Sequence, residues 1–144
     1  MKIKVEKMQH AVGLPEYMSP GSAGMDLQAA EKIENINSGE HCLVPTGLKM
    51  SLPEGYEGQI RPRSGLALKY GITVLNSPGT IDSDFRGELK VILINLGQKP
   101  YTIEKGERIA QLVISPIVQA KLHQVESLAE ETSRGEGGFG HSGK

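Results

Sequence analysis

The chain has 144 residues and a formal net charge of −1, room for one ordinary domain and no electrostatic case for coating nucleic acid or an anionic membrane. Cys42 is the single cysteine, which excludes an intrachain disulfide and a zinc knuckle. No apolar run reaches the length of a signal-peptide core or a membrane span, so a soluble cytoplasmic domain is expected.

From the N-terminus, strand-like runs occupy residues 3–8, 42–50, 72–75, 88–95 and 108–117. Turn signals fall between them: Pro20-Gly21, Ser38-Gly39, Pro53-Glu54-Gly55, Ser77-Pro78-Gly79, Arg86-Gly87, Leu96-Gly97 and Lys105-Gly106. Short strands at this spacing predict an all-β sandwich or barrel. Only residues 64–70 and 125–132 read as a helical turn or two. Within 88–95 the run Val-Ile-Leu-Ile is apolar on both pleat faces, because neighbouring side chains of a strand point opposite ways. One of those faces is expected to meet a second subunit.

Four stretches carry candidate chemistry. In Ser-Ala-Gly-Met-Asp-Leu-Gln-Ala, Asp26 follows a small-residue turn and opens a strand; it either caps that turn or holds a magnesium-bound water. In Arg-Pro-Arg-Ser-Gly-Leu, residues Arg63, Ser64 and Gly65 lead into the helical turn. They read as an anion-binding turn with an arginine fork, or as a surface turn with a capping serine. The spacing is not that of a P-loop. In Asn-Ser-Pro-Gly-Thr-Ile-Asp-Ser-Asp-Phe-Arg-Gly-Glu, the Asn76 side chain offers one amide-bearing ring both a donor and an acceptor. If that segment is extended, Asp82 and Asp84 share a pleat face, with an Asp84–Arg86 ion pair expected. In Arg-Ile-Ala-Gln-Leu-Val, Gln111 shares a face with Ile109 and Val113, where backbone partners are expected to satisfy it. The four histidines have no metal-ligand spacing. The last eleven residues, five of them glycine, are too costly to order alone, so residues 1–133 read as a β domain and 134–144 as a flexible tail.

In chain order, the segments AGMDLQA, PRSGLALK, NSPGTIDSDFRGE, RIAQLV and RGEGGFGHSG resemble the five motifs of the trimeric deoxyuridine triphosphatases (dUTP diphosphatases). The resemblance runs from about residue 23 to the end of the chain. It implies a jelly-roll or distorted β-barrel subunit and a homotrimer with sites at the subunit interfaces. The implied reaction is hydrolysis of dUTP to dUMP and diphosphate, which limits uracil incorporation into DNA and supplies dUMP for dTMP synthesis. Mg2+ is the implied cofactor. By position, Asp82 resembles the aspartate that orients and deprotonates the water attacking the α-phosphorus. Asn76 resembles the reader of the uracil edge, beside Gly79 and the backbone of Thr80 and Ile81. Arg63, Ser64 and Gly65 resemble the phosphate turn; Asp26, through water, and Gln111 resemble the groups around metal and phosphates; Lys90 matches another substrate contact. In the tail, Phe139 would cover the uracil, Arg134 would clamp the γ-phosphate, and Gly140, His141 and Ser142 would close as a lid. Phe85 stands where the family usually has tyrosine, which keeps the apolar plate beneath the deoxyribose and removes the phenol.

The related dCTP deaminases share the jelly-roll trimer, but their chemistry needs a glutamate near the pyrimidine ring, and Glu88 reads equally as a structural ion pair. A regulatory module using nucleotide occupancy as a switch is the alternative from another class; an intact Asp82 and a full phosphate kit point to hydrolysis instead.

Overall fold

Glycine-centred turns break the sequence into short apolar and β-branched runs, most of them of strand length. The computed structural model describes residues 1–128, 132 and 134–137. In chain order the elements are β1 (Lys4–Lys7), β2 (Glu16–Tyr17), β3 (Gly24–Gln28), β4 (Ile33–Ile36), β5 (His41–Ser51), β6 (Tyr56–Pro62), helix α1 (Ser64–Tyr70), β7 (Ile72–Val74), β8 (Gly79–Ile81), β9 (Glu88–Asn95), β10 (Tyr101–Ile103) and β11 (Arg108–Pro116). One antiparallel sheet runs β1-β5-β9-β7, a second runs β2-β3-β11-β6-β8, and β10 pairs with β4 as a ribbon. Strands adjacent in sequence repeatedly lie in different sheets, as in a jelly roll. The expected all-β fold is what forms.

The core lies where the sheets face each other. Val44, Val91 and Leu93 from the first sheet meet Leu27, Ile60 and Leu112 from the second in one buried cluster. In β9 the odd-numbered residues Leu89, Val91 and Leu93 point into this core, while Ile92 and Ile94 remain half-buried on the outer face. There Ile92 lies opposite Leu43, which is 52% exposed. Among the described residues, the outer face of this sheet thus keeps an apolar stretch around Leu43, Ile92 and Ile94 partly exposed.

Buried polar groups stitch the strands. Asn95, fully buried, donates from Nδ2 to the carbonyls of Ile36 and Lys99, both at 2.8 Å, and accepts from Gly97 N–H at 2.8 Å. Thr46 Oγ1 donates to Leu89 O at 2.7 Å, closing the register shift between β5 and β9.

Helix α1 matches the helical reading of residues 64–70. Its N-cap is Arg63, with no side-chain cap bond, which overturns the reading of a capping serine: Ser64 is already inside the first turn. Gly71 ends it at φ +72°, with Gly97 so close that a Cβ would approach its amide nitrogen at 2.4 Å. Residues 117–128 follow β11 without helix or strand, so the described part of 125–132 does not carry the expected helical turn.

Candidate active site

Asp26 occupies the middle of β3, opposite Gln111 on β11, which in turn lies opposite Arg61 on β6. Its carboxylate is only 6% exposed and must find partners. Arg108 Nη1 lies 3.1 Å from Oδ2, and Arg63 Nε lies 3.5 Å from Oδ1. Gln111 Nε2 donates to Oδ1 at 3.5 Å. Arg63 Nη1 also donates to Arg108 O at 2.7 Å, tying the start of α1 to the start of β11. Ser64, Gly65, Ser22 and Gly24 complete a cavity of about 220 Å³ over this cluster. Two guanidiniums around one buried carboxylate leave a net positive charge facing that cavity, a chemistry suited to phosphate oxygens.

Arg108 was absent from the candidates drawn from the sequence. A register shift between Arg108 and Ala110 brings Arg108 to the side that carries Gln111, which strict alternation would not do. The same irregularity separates Gln111 from Ile109, which is buried in the core, and corrects the expectation that they share a face. The partner of Gln111 is the Asp26 carboxylate rather than backbone.

A second group gathers around β8. Gly79 pairs with Ile60 and Ile81 with Gly58 on β6. The Asn76 amide packs so near Gly79 that a Cβ there would meet Nδ2 at 3.2 Å. After Ile81 the chain turns, with Phe85 N–H donating to Asp82 O at 3.2 Å. Asp82 and Asp84 therefore do not share the face of an extended segment. Nor does the expected Asp84–Arg86 ion pair form: the turn directs Arg86 Nη1 to the carbonyls of Ser83 and Phe85, at 2.7 and 2.8 Å. Asp82 and Asp84 line an open cavity of about 780 Å³ together with Glu54, Tyr56, Glu57 and Gln119. The Phe85 ring is 40% exposed and lies over Gly87, where a Cβ would strike Cζ at 2.5 Å.

Strand register sets the distance between these groups. Asp82 follows the residue paired with Gly58, whereas Arg63 follows the far end of β6. Five to six residues of strand separate the two positions, about 20 Å at 3.3 Å per residue. The arginine cluster and Asp82 do not meet within one chain.

Lys90 joins neither group; its Nζ lies 3.7 Å from Glu88. Glu88 accepts from His10 Nε2 and from Gly47 N–H, both at 2.8 Å. Burial pushes its carboxyl up, but the His10 and Gly47 hydrogen bonds and the charges of His10 and Lys90 outweigh this and hold it below the usual carboxylate range. These contacts match the structural reading of Glu88 rather than that of a deaminase base. Arg134 donates from Nε to Gly137 O at 2.7 Å within its own turn. Phe139, Gly140, His141 and Ser142 lie outside the described residues.

The sequence model of the dUTPase family matches residues 10–143. The chain belongs to the dUTPase family. Among curated relatives, the deoxyuridine 5'-triphosphate nucleotidohydrolase of Caldanaerobacter subterraneus subsp. tengcongensis is 58% identical over 144 residues, covering 99% of this chain and 97% of that protein. The protein of the same name from Chlamydia pneumoniae is 60% identical over 131 residues, 90% of each chain. Among solved structures, a point mutant of the dUTPase of Staphylococcus bacteriophage 80alpha with dUpNHpp superposes at a TM-score of 0.87, with 32% identity over 99% of both chains. A point mutant of the dUTPase of phage phi11 of S. aureus, described with a structural Mg(II) ion, reaches 0.81 with 26% identity over 89% of this chain and 99% of that one. The similarity to these dUTPase structures thus spans 89–99% of this chain.

Proposed function

We propose that this protein hydrolyses dUTP to dUMP and diphosphate in the cytoplasm, as a homotrimer whose sites lie between subunits. Among the described residues no helix is long and apolar enough to cross a membrane. The observation that carries the trimeric site is the separation along β6. Phosphate-binding arginines and the aspartate stand about 20 Å apart in one chain, so a working site takes Arg63, Ser64, Gly65, Asp26, Arg108 and Gln111 from one copy and Asn76, Asp82 and Phe85 from another. A closed ring of such heterologous contacts gives each copy a share in two sites. The partly exposed apolar stretch around Leu43 and Ile92 supports association.

In this reading Asn76 pairs the uracil edge, with Gly79, Thr80 and Ile81 offering backbone groups. Cytosine reverses the donor and acceptor there, and each buried group left unpaired costs about 1–3 kcal/mol. Phe85 lies beneath the sugar and takes the space of a 2′-hydroxyl. Arg63 and Arg108 neutralise phosphate charge, and Asp82 orients and deprotonates the attacking water. Among the described residues no three His, Cys, Asp or Glu side chains converge on a metal position. Asp26 already faces two guanidiniums. That donor set fits a magnesium ion that arrives on the triphosphate and keeps its waters, one of them hydrogen-bonded to Asp26. Such an ion supplies Lewis acidity at the phosphoryl oxygens. Residues 134–144 act as a lid, with Arg134 on the γ-phosphate, Phe139 on the base and Gly140 to Ser142 over the rest, excluding bulk water.

The test mixes two inactive parents. Asp82→Asn should lower diphosphate release from dUTP about 100- to 10,000-fold, and Arg63→Met should lower it by removing a guanidinium that neutralises phosphate charge. Unfolded together in equal amounts and refolded, about a quarter of interfaces receive Arg63 from one parent and Asp82 from the other, and activity should return in that proportion. Mixed oligomers that form and stay inactive would show both residues to be needed from the same copy.

A further inference from the structure

The segment between β8 and β9 crosses from one sheet to the other carrying Asp82 and Phe85, and its far end is fastened by Glu88, the first residue of β9. The fastening point on β5 is the register shift between Pro45 and Lys49. Two bonds close it: Thr46 Oγ1 donates to Leu89 O at 2.7 Å, and Gly47 N–H donates to Glu88 Oε1 at 2.8 Å. The N-terminal segment is fastened to the same place. Met8 N–H donates to Gly47 O at 2.8 Å, and Ala11 sits where a Gly47 Cβ would be, 2.5 Å from its Cα. Gly47 has φ +72°, so both its backbone conformation and its surroundings exclude a side chain. From that segment His10 Nε2 reaches the same Glu88 oxygen at 2.8 Å.

Glu88 therefore receives two donors on one oxygen while its side chain is only 13% exposed. Immediately before it, Gly87 lies directly against the Phe85 ring: a single added carbon would clash at 2.5 Å with Cζ. The ring position depends on the backbone at Gly87, and that backbone is held one residue away by the Glu88 carboxylate.

We propose that Glu88 and His10 are a positioning pair for the Phe85 ring, and that through it they set the discrimination between deoxyribo- and ribonucleoside triphosphates. This rests on the functional reading given above, in which the ring lies beneath the sugar. Neither residue touches substrate. A carboxylate fixed to Gly47 and His10 keeps the Gly87 backbone, and the ring above it, at one height; releasing it lets the ring sink and opens room for a 2′-hydroxyl.

The experiment uses the full chain with ring-labelled phenylalanine and the variants Glu88→Ala, Glu88→Gln and His10→Ala. Phenylalanine occurs only at 85 and 139, so the ring signals of Phe85 are readily assigned. Contacts between that ring and the Gly87 α-protons are read by NMR, and kcat/KM is measured for dUTP and UTP. Misplacement by 1 Å costs about 100-fold in well-positioned sites, and a partial release should lower the dUTP:UTP preference roughly tenfold in Glu88→Ala, with loss of the ring contacts. His10→Ala should shift both in the same direction by less, and Glu88→Gln, whose amide oxygen still accepts from Gly47, should restore both. If Glu88→Ala does not fold, His10→Ala, which leaves the Gly47 bond in place, carries the comparison. Ring contacts that persist in the alanine variants, or equal losses on both substrates, overturn the proposal. A parent that releases no diphosphate from dUTP would sink the functional reading alone, and the ring contacts would still decide whether the pair holds the ring.

Discussion

Replacing Arg108 with methionine keeps much of the aliphatic stem and takes one guanidinium from Asp26. The carboxylate is 6% exposed and cannot recover its hydration in place. Stripping one partner from a fully buried pair costs about 3–5 kcal/mol. Two features reduce that figure here. The Arg108 side chain is itself 44% exposed, so its own burial is partial, and Arg63 Nε remains 3.5 Å from the other carboxylate oxygen. A loss of about 1–2 kcal/mol remains, which lowers Tm by roughly 2–8 °C in a chain of this size. Asp26→Asn combined with Arg108→Met removes the stranded charge along with its partner. The double variant should therefore be more stable than the sum of the singles predicts, by about 1 kcal/mol. Thermal and urea unfolding of the four proteins at one matched concentration measures this directly, since association contributes to the apparent stability of an oligomer. Additivity within about 0.3–0.5 kcal/mol would refute the coupling and return Arg108 to the status of a surface charge.

Phe85→Ala should raise turnover of UTP relative to dUTP, while Phe85→Tyr should leave the preference nearly unchanged; steady-state rates on both nucleotides decide, and an alanine variant that rejects UTP as firmly as the parent places sugar exclusion elsewhere. Asn95→Leu strands the carbonyls of Ile36 and Lys99 and the Gly97 N–H, so chemical unfolding should show a loss of at least about 2 kcal/mol; a loss near zero would mean that these groups find other partners.

Strand β9 was fully legible because its boundaries are marked by turns and its interior is an apolar, β-branched run of strand length. Strand β6 was not: Tyr-Glu-Gly-Gln-Ile-Arg-Pro mixes glycine, proline and charge, and what makes it a strand is pairing with β11 on one side and β8 on the other. Such a strand is specified by its neighbours in space rather than by its own propensities. In the candidate site, Asp26 and Gln111 were found singly, but their contact depends on the β3–β11 register, which no local pattern encodes. Arg108 escaped notice because three residues before Gln111 is the wrong parity for a regular strand, and only the irregularity at Ile109 corrects it. Around Asp84 no local pattern marks the turn that the Phe85 N–H closes onto Asp82 O.

The seven residues of β6 act as a spacer as well as a strand. Its outward side chains Glu57, Gln59 and Arg61 bond mainly to one another along the strand, so their identities can drift together without disturbing the core. Its length has no such freedom. One residue more or fewer would turn the core-facing Ile60 outward. Two would restore the pleat but change the distance between the Arg63 end and the Asp82 end by about 7 Å, and under the assembly proposed above every composite site would lose its fit at once. Among descendants of this chain, insertions and deletions should collect in the surrounding turns and leave β6 untouched, because here the ruler matters more than the letters written on it.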